Sequence, residues 1–200
     1  MKPRIEFYFD FSSPYSYVAA NLIEGIADKH RATLAWRPVL LGVAFKASGQ
    51  RPLVEIPVKG DYSRRDFERT ARFHGLAFRY PTTFPISTVN TARAVLWLQA
   101  QGSAKTATFI RRAMRAYYVE DRAINDPATI AELASELGID AAAVSAGIQD
   151  GAIKDKLKAD VDEAIARGVF GAPFIFVDGE PFWGHDRLPQ VERWLATGPF

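Results

Sequence analysis

The feature that most constrains the fold is the dipeptide Ser13-Pro14 and what lies on either side of it. Residues 5–11 (Ile-Glu-Phe-Tyr-Phe-Asp-Phe) alternate and are rich in aromatic side chains, as a half-buried strand requires. Proline at a first helical position, with serine before it as cap, then opens a helix. Val18, Leu22 and Ile26, with Ala19 and Ile23 beside them, follow the three-to-four spacing of a buried stripe. Residues 33–41 read as a second strand. A strand, a helix and a strand in this order predict a parallel pair joined by a right-handed crossover.

The middle of the chain changes character. Between Gly42 and Gly151 the patterns are helical and almost nothing is strand-like: residues 62–74, 88–101 and 104–118 each carry a helical period. Asn125-Asp126-Pro127 is a start signal, Gly138 a stop, and a short helix follows Asp140. Residues 79–84, with Pro81 and paired threonines, read as a loop. A long helix resumes with Ile153, Leu157, Val161 and Ile165 on one face and ends at Gly168. Residues 173–177 predict a buried strand, Asp178-Gly179 a hairpin turn, and residues 181–183 the return strand. The last helix begins near Asp186, whose carboxylate is expected to cap it, and carries Leu188, Val191 and Leu195. The order β-α-β, helical block, α-β-β-α predicts an α/β thioredoxin-like fold with a helical insertion. Residues 1–43 and 152–200 would form the thioredoxin-like part and residues 44–151 the inserted helical part.

Composition narrows the chemistry. Of 200 residues, 48% are hydrophobic and 12% aromatic, enough for a sizeable core. Twenty-five basic against 23 acidic residues give a net charge of +2, too even to point to nucleic acid. No apolar run approaches the roughly 20 residues of a membrane span. The chain enters its first strand without an apolar leader, so a cytoplasmic location is expected. The absence of cysteine excludes disulfides, thiolate metal sites and a protein-borne redox dithiol. His30, His74 and His185 stand apart from one another, and no metal site is expected.

Four constellations could carry chemistry. A helix N-terminus has unsatisfied N–H groups and about half a positive charge, so the Ser13 position favours an anion and would lower a thiol's pKa. Serine itself is a poor nucleophile there, and taken alone Ser13 is most simply a helix cap. Phe170-Gly171-Ala172-Pro173 places a proline at a buried strand start. This suggests either an ordinary strand-start proline or a cis bond that turns the Ala172 N–H and C=O outward to pair with a bound peptide. In Trp183-Gly184-His185-Asp186-Arg187 the carboxylate of Asp186 could instead receive a ligand's ammonium group. A triad of Ser13, His185 and Asp186 is disfavoured, because adjacent side chains rarely share that geometry and no Gly-x-Ser-x-Gly elbow is present. Finally, Gln50 and Lys59 lie in a Pro- and Gly-punctuated loop, where a lysine is either solvated or reaches an anion. The arginines of residues 64–72 and 111–115 read as solvated faces, with Asn90 and Arg93 ambiguous.

Taken together, residues 7–17 (Phe-Tyr-Phe-Asp-Phe-Ser-Ser-Pro-Tyr-Ser-Tyr), residues 170–173 and residues 183–188 (Trp-Gly-His-Asp-Arg-Leu) resemble the 2-hydroxychromene-2-carboxylate isomerases. These are relatives of the kappa-class glutathione transferases among DsbA-like thioredoxin folds. The resemblance spans nearly the whole chain and keeps the motifs in order. It implies glutathione as cofactor, with Ser13 holding and activating its sulfur. Ala172, before Pro173, would pair with the cysteinyl backbone, Asp186 with His185 beside it would bind the γ-glutamyl end, and Lys59 would contact the tripeptide from the inserted loop. Gln50 stands where kappa relatives carry asparagine, and position 185 varies in the family.

The activity implied is interconversion of 2-hydroxychromene-2-carboxylate and trans-o-hydroxybenzylidenepyruvate in naphthalene-type aromatic degradation. The substrate is an aromatic carboxylate, and the assembly implied is a homodimer. Phe45, Tyr62, Phe84 and Trp97 are candidates to line the slot for the ring. A kappa-like transferase or peroxidase acting on other electrophiles, and a non-catalytic thioredoxin-fold binding module, are the rival readings.

Overall fold

A computed structural model describes residues 2–200. The chain opens with β1 (Arg4–Phe9), α1 (Pro14–Lys29) and β2 (Thr33–Pro38), β2 lying parallel to β1 with Trp36 opposite Phe7. Six helices then run without an intervening strand among the described residues. They are α2 (Leu41–Ser48), α3 (Lys59–Phe73), α4 (Val89–Ala100), α5 (Thr106–Tyr118), α6 (Pro127–Glu136) and α7 (Ala141–Gln149), with a 3-10 turn at Leu53–Glu55. The chain returns through α8 (Gly151–Ala166) to the hairpin β3 (Phe174–Val177) and β4 (Glu180–Trp183), then a 3-10 turn at His185–Arg187 and α9 (Leu188–Thr197). The sheet order is β2-β1-β3-β4, with β3 antiparallel to both β1 and β4. This is the thioredoxin-like, DsbA-type arrangement that the order of patterns predicts.

The second strand is shorter than expected, ending at Pro38 rather than near residue 41. The Val39 N–H still reaches the Phe9 carbonyl at 2.8 Å, but the Leu41 N–H is taken at 2.6 Å by the side chain of Asp10. That bond turns the chain into α2, a helix whose own N-cap residue, Leu40, supplies no side-chain cap. At the hairpin, Asp178 (φ 49°) and Gly179 (φ 97°) both adopt positive φ, the backbone of the two-residue turn that the Asp-Gly pair predicts.

The central strands β1 and β3 are buried on both faces. Ile5, Phe7 and Phe9 alternate onto one face and join Val18 and Ile23 of α1, Phe109 and Met114 of α5, and Ile130 and Leu133 of α6 in one cluster. Thus α1 is wedged between the sheet and the helical block. On the opposite face Tyr8, Phe174 and Phe176 pack with Val39, Ala164 and Val169. The buried Glu6 on that face accepts from the Arg167 guanidinium at 2.9 and 3.1 Å, which holds its carboxyl below the usual range. The same guanidinium donates to the Tyr8 hydroxyl at 2.6 Å and lies over the Phe176 ring.

Within the helical block α4 and α7 approach closely because Gly147 has no side chain. A Cβ there would sit 2.2 Å from Cδ1 of Trp97, whose ring occupies the space. Gly147→Ala should therefore force the rigid indole aside and lower stability by about 1–3 kcal/mol. Denaturant unfolding checks this, and an unchanged midpoint would contradict the close approach.

Candidate functional site

Ser13 is buried and extended (φ −106°, ψ 111°), the backbone of an N-cap residue. Its Oγ accepts from the Ser16 N–H at 3.1 Å and donates to the Ala172 carbonyl at 2.9 Å. It is thus a cap, as its sequence context suggests, and also a tie between α1 and the loop before β3. Pro14 has no N–H, and the Tyr17 N–H bonds the Ser13 carbonyl at 3.0 Å. In the first turn of α1 this leaves the Tyr15 N–H with no acceptor among the described residues. One free amide at the positive end of a 16-residue helix, next to a hydroxyl that can rotate, is a place for an anion.

The facing wall is residues 170–173. The Ala172-Pro173 bond is cis, the second of the two alternatives the sequence leaves open there. The Phe84-Pro85 bond is also cis, and nothing in the sequence singles it out. Gly171 lies against Trp183, where a Cβ would come within 2.6 Å of the indole Nε1, and the Gly184 N–H donates to the Pro173 carbonyl at 3.0 Å. The loop that presents Ala172 is therefore held from both sides by β4 and its continuation.

Beneath Ser13 lies Asp10, a carboxylate that is only 3% exposed. It accepts from the Ser12 N–H at 2.8 Å, the Thr88 hydroxyl at 3.0 Å and the Leu41 N–H at 2.6 Å, while its own carbonyl accepts from the Ser13 N–H at 3.1 Å. Burial pushes its carboxyl above the ordinary Asp value, and the three donors pull the other way. Sequence reasoning missed Asp10. The signal that could have found it is a lone acid ending an aromatic strand just before the helix cap.

These elements border a cleft of about 1120 Å³. Ser13, Gln50, Ala172, Pro173, His185 and Asp186 all line it, as do Phe45 and Phe84 among the aromatic candidates. Lys59, Tyr62 and Trp97 are not in its lining. Lys59 is the exposed first residue of α3, Tyr62 is exposed further along that helix beside Arg69, and Trp97 is packed on Gly147. Asp186 does not cap the last helix: it lies in the 3-10 turn, and α9 starts at Leu188-Pro189 with no side-chain cap. Its carboxylate is more than half exposed and pairs with Arg187 at 3.4 Å, which leaves it open to a ligand's cation.

His185 stacks flat on Tyr15, ring centroids 4.8 Å apart, and the Tyr15 hydroxyl donates to Asp66 at 2.5 Å. Ser13 makes no hydrogen bond to His185, so no hydrolase triad is assembled. Tyr15, Asp66, Lys46, Arg51 and Trp183 also face the cleft and were not singled out from sequence as part of it. Among the described residues no group of three or more His, Cys, Asp or Glu side chains could hold a metal, and no helix is long and apolar enough to cross a membrane.

Burial against Tyr15 pushes the His185 imidazole below 6.5, with the Asp186 charge opposing the shift. As pH falls, the unfolded chain then takes up that proton before the folded one does. The His185 contribution to stability is complete above about 6.5 and is lost as pH falls through the window below it. NMR titration of the imidazole should give a midpoint under that of a free histidine, and His185→Gln should flatten stability across that window. A midpoint at or above the free value would contradict the stacked, desolvated ring.

The family of the DsbA-like thioredoxin domain matches residues 4–196. The chain is 30% identical to a 2-hydroxychromene-2-carboxylate isomerase of Sphingobium xenophagum, over 98% of this chain and 99% of that protein. It is 31% identical to a protein named glutathione S-transferase kappa 2 of Caenorhabditis elegans, over 98% and 92% respectively. Among solved structures, a 2-hydroxychromene-2-carboxylate isomerase superposes with a TM-score of 0.87 at 26% identity, covering 96% of this chain and 94% of that one. The cytosolic disulfide reductase DsbM of Pseudomonas aeruginosa, solved with GSH, shares the fold at a TM-score of 0.69 and 19% identity, covering 96% of each chain. End-to-end matches on this scale agree with the architecture and with the order of motifs along the chain. The chain belongs to the DsbA-like thioredoxin family, within the group that holds the 2-hydroxychromene-2-carboxylate isomerases and the kappa-class glutathione transferases.

Proposed function

We propose that the chain is a glutathione-dependent isomerase that interconverts 2-hydroxychromene-2-carboxylate and trans-o-hydroxybenzylidenepyruvate, a step of naphthalene-type aromatic degradation. The observation that carries this reading is the pairing of a free helix-terminal amide, Tyr15 N–H, with the Ser13 hydroxyl at one end of a large cleft in a chain without cysteine. A site shaped for a thiolate in a chain that has none points to a thiol carried in by a ligand. Bound as a thiolate, glutathione would supply a nucleophile that adds reversibly to the conjugated side chain, so that the former double bond can rotate before elimination.

The chain's own residues would act as follows. The Ala172 carbonyl has two acceptor positions, one of them filled by the Ser13 hydroxyl. A cysteinyl N–H would take the open position on this carbonyl, and the Ser13 hydroxyl, by rotating off it, would reach the sulfur, where Ser13 and the Tyr15 N–H together favour the charged form. Asp186 and its partner Arg187 present opposite charges to the ammonium and carboxylate of the γ-glutamyl end, and Gln50 adds a polar group from the α2 side. Phe45 and Phe84 offer apolar surface to the aromatic ring. Lys59 enters this reading only if the loop before α3 moves toward the cleft. A cytoplasmic setting, where glutathione is kept reduced, is part of the proposal.

A second reading is favoured by the kappa-class relative at 31% identity: a transferase that conjugates glutathione to other electrophiles. Incubation with glutathione and the chromene carboxylate separates the two. Spectral conversion with no loss of free thiol supports the isomerase, and thiol consumption on a model electrophile without conversion supports the transferase. Calorimetric titration with glutathione tests both, because failure to bind at millimolar concentration would leave only a non-catalytic module.

Ser13→Ala should keep the fold, since an N-cap costs about 1 kcal/mol. It should also raise the pKa of bound glutathione by about one unit and cut turnover at neutral pH about tenfold or more, the worth of one charge-assisted hydrogen bond. Thiolate absorbance against pH reads the shift. Unchanged turnover would return Ser13 to the role of a plain cap.

A further inference from the structure

The charged residues lining the cleft are not equivalent. Of its three acids, Asp10 is satisfied by three protein donors, Asp66 is engaged by the Tyr15 hydroxyl and by Arg69, and Asp186 pairs with Arg187. Of its three cations, Arg187 has that partner, whereas Lys46 and Arg51 make no ion pair and no side-chain hydrogen bond among the described residues. Both come from one stretch, the last turn of α2 and the loop after it, while the acids other than Asp10 belong to α3 and the turn before α9. The cleft therefore has a paired, mixed-charge pole near Ser13 and an unpaired positive pole on the α2 side.

Aromatic and aliphatic side chains make up much of the remaining wall, with Phe45 and Leu53 on the same stretch as the two cations and Phe67 and Phe84 on other segments. A guanidinium in such a place offers a planar fork that matches a carboxylate.

We propose that Arg51, with Lys46, is the subsite for the carboxylate of the second substrate. This rests on the thiol site proposed at Ser13, which supplies the first substrate. Arg51 acts as a specificity-determining residue: it binds and orients the anionic end of the electrophile and takes no part in proton transfer.

The test uses the double variant Lys46→Gln/Arg51→Gln, both positions being solvent-exposed and removable without opening the core. Calorimetry with trans-o-hydroxybenzylidenepyruvate in the absence of glutathione should show affinity falling about tenfold or more in the variant, the worth of a charge-assisted contact. The methyl ester of the same compound should bind the variant and the unmodified protein alike. In steady state the KM for the carboxylate should rise while kcat stays within about threefold. Glutathione affinity should be unchanged. An unaltered affinity for the carboxylate would overturn the proposal. So would a parallel loss of glutathione affinity, which would assign the two cations to the tripeptide's glycyl carboxylate. Failure of the unmodified protein to bind glutathione would sink the thiol site alone, since the carboxylate titration is made without it.

Discussion

The arrangement of the site depends on one buried carboxylate. Asp10 directly follows β1 and receives donors from three separate stretches: Ser12 in the loop before α1, Leu41 at the start of α2, and Thr88 just before α4. Those stretches border the cleft. A charge this deep is costly unless its oxygens are filled, and here three donors meet the cost by being drawn together. The same residue's carbonyl holds the Ser13 N–H, so the geometry of the helix cap and the path of the flanking helices share one anchor.

From that anchor the rest of the site follows by contact. Ser13 reaches across to Ala172, and the loop carrying Ala172 is pressed into place by Trp183 against Gly171. Tyr15, the residue whose amide is free, also stacks on His185 and bonds Asp66. The N-terminus of α1 is thus joined to α3 and to the turn before α9. A ligand lying in the cleft would touch residues from both ends of the chain, and none of the three stretches could hold it alone. The electrostatics follow the same division, with paired charges near α1 and, among the described residues, two unpaired cations on the last turn of α2 and the loop after it.

Much of the fold is legible because its signals are local. Ser13-Pro14, Asp126-Pro127 and Asp140 start helices through caps whose side chains accept from amides two or three residues ahead. Asp178-Gly179 closes a hairpin through backbone preferences of its own two residues. Two of the errors arise where a distant group intervenes, and one from a local extra turn. Asp10, some thirty residues away, stops the second strand at Pro38 and starts α2. Asp186 looks like a cap, yet the chain makes one more 3-10 turn before α9 begins at Leu188-Pro189. Trp97 has the composition of a pocket residue and is instead held in the helical block by a glycine fifty residues on.

By itself the sequence determined the order of strands and helices, the family, and the place of Ser13 at a helix end in a chain with no thiol. These depend on patterns within a few residues and on which residue types are absent. The tertiary structure decided which residues meet around that helix end: Ala172 on its hydroxyl, His185 on its tyrosine and Asp10 beneath it, with Lys46 and Arg51 also in the lining of the cleft. The physical reason is that side chains from separate segments are brought together by packing and by shared hydrogen-bond acceptors. No local pattern records which buried oxygen a distant amide will find.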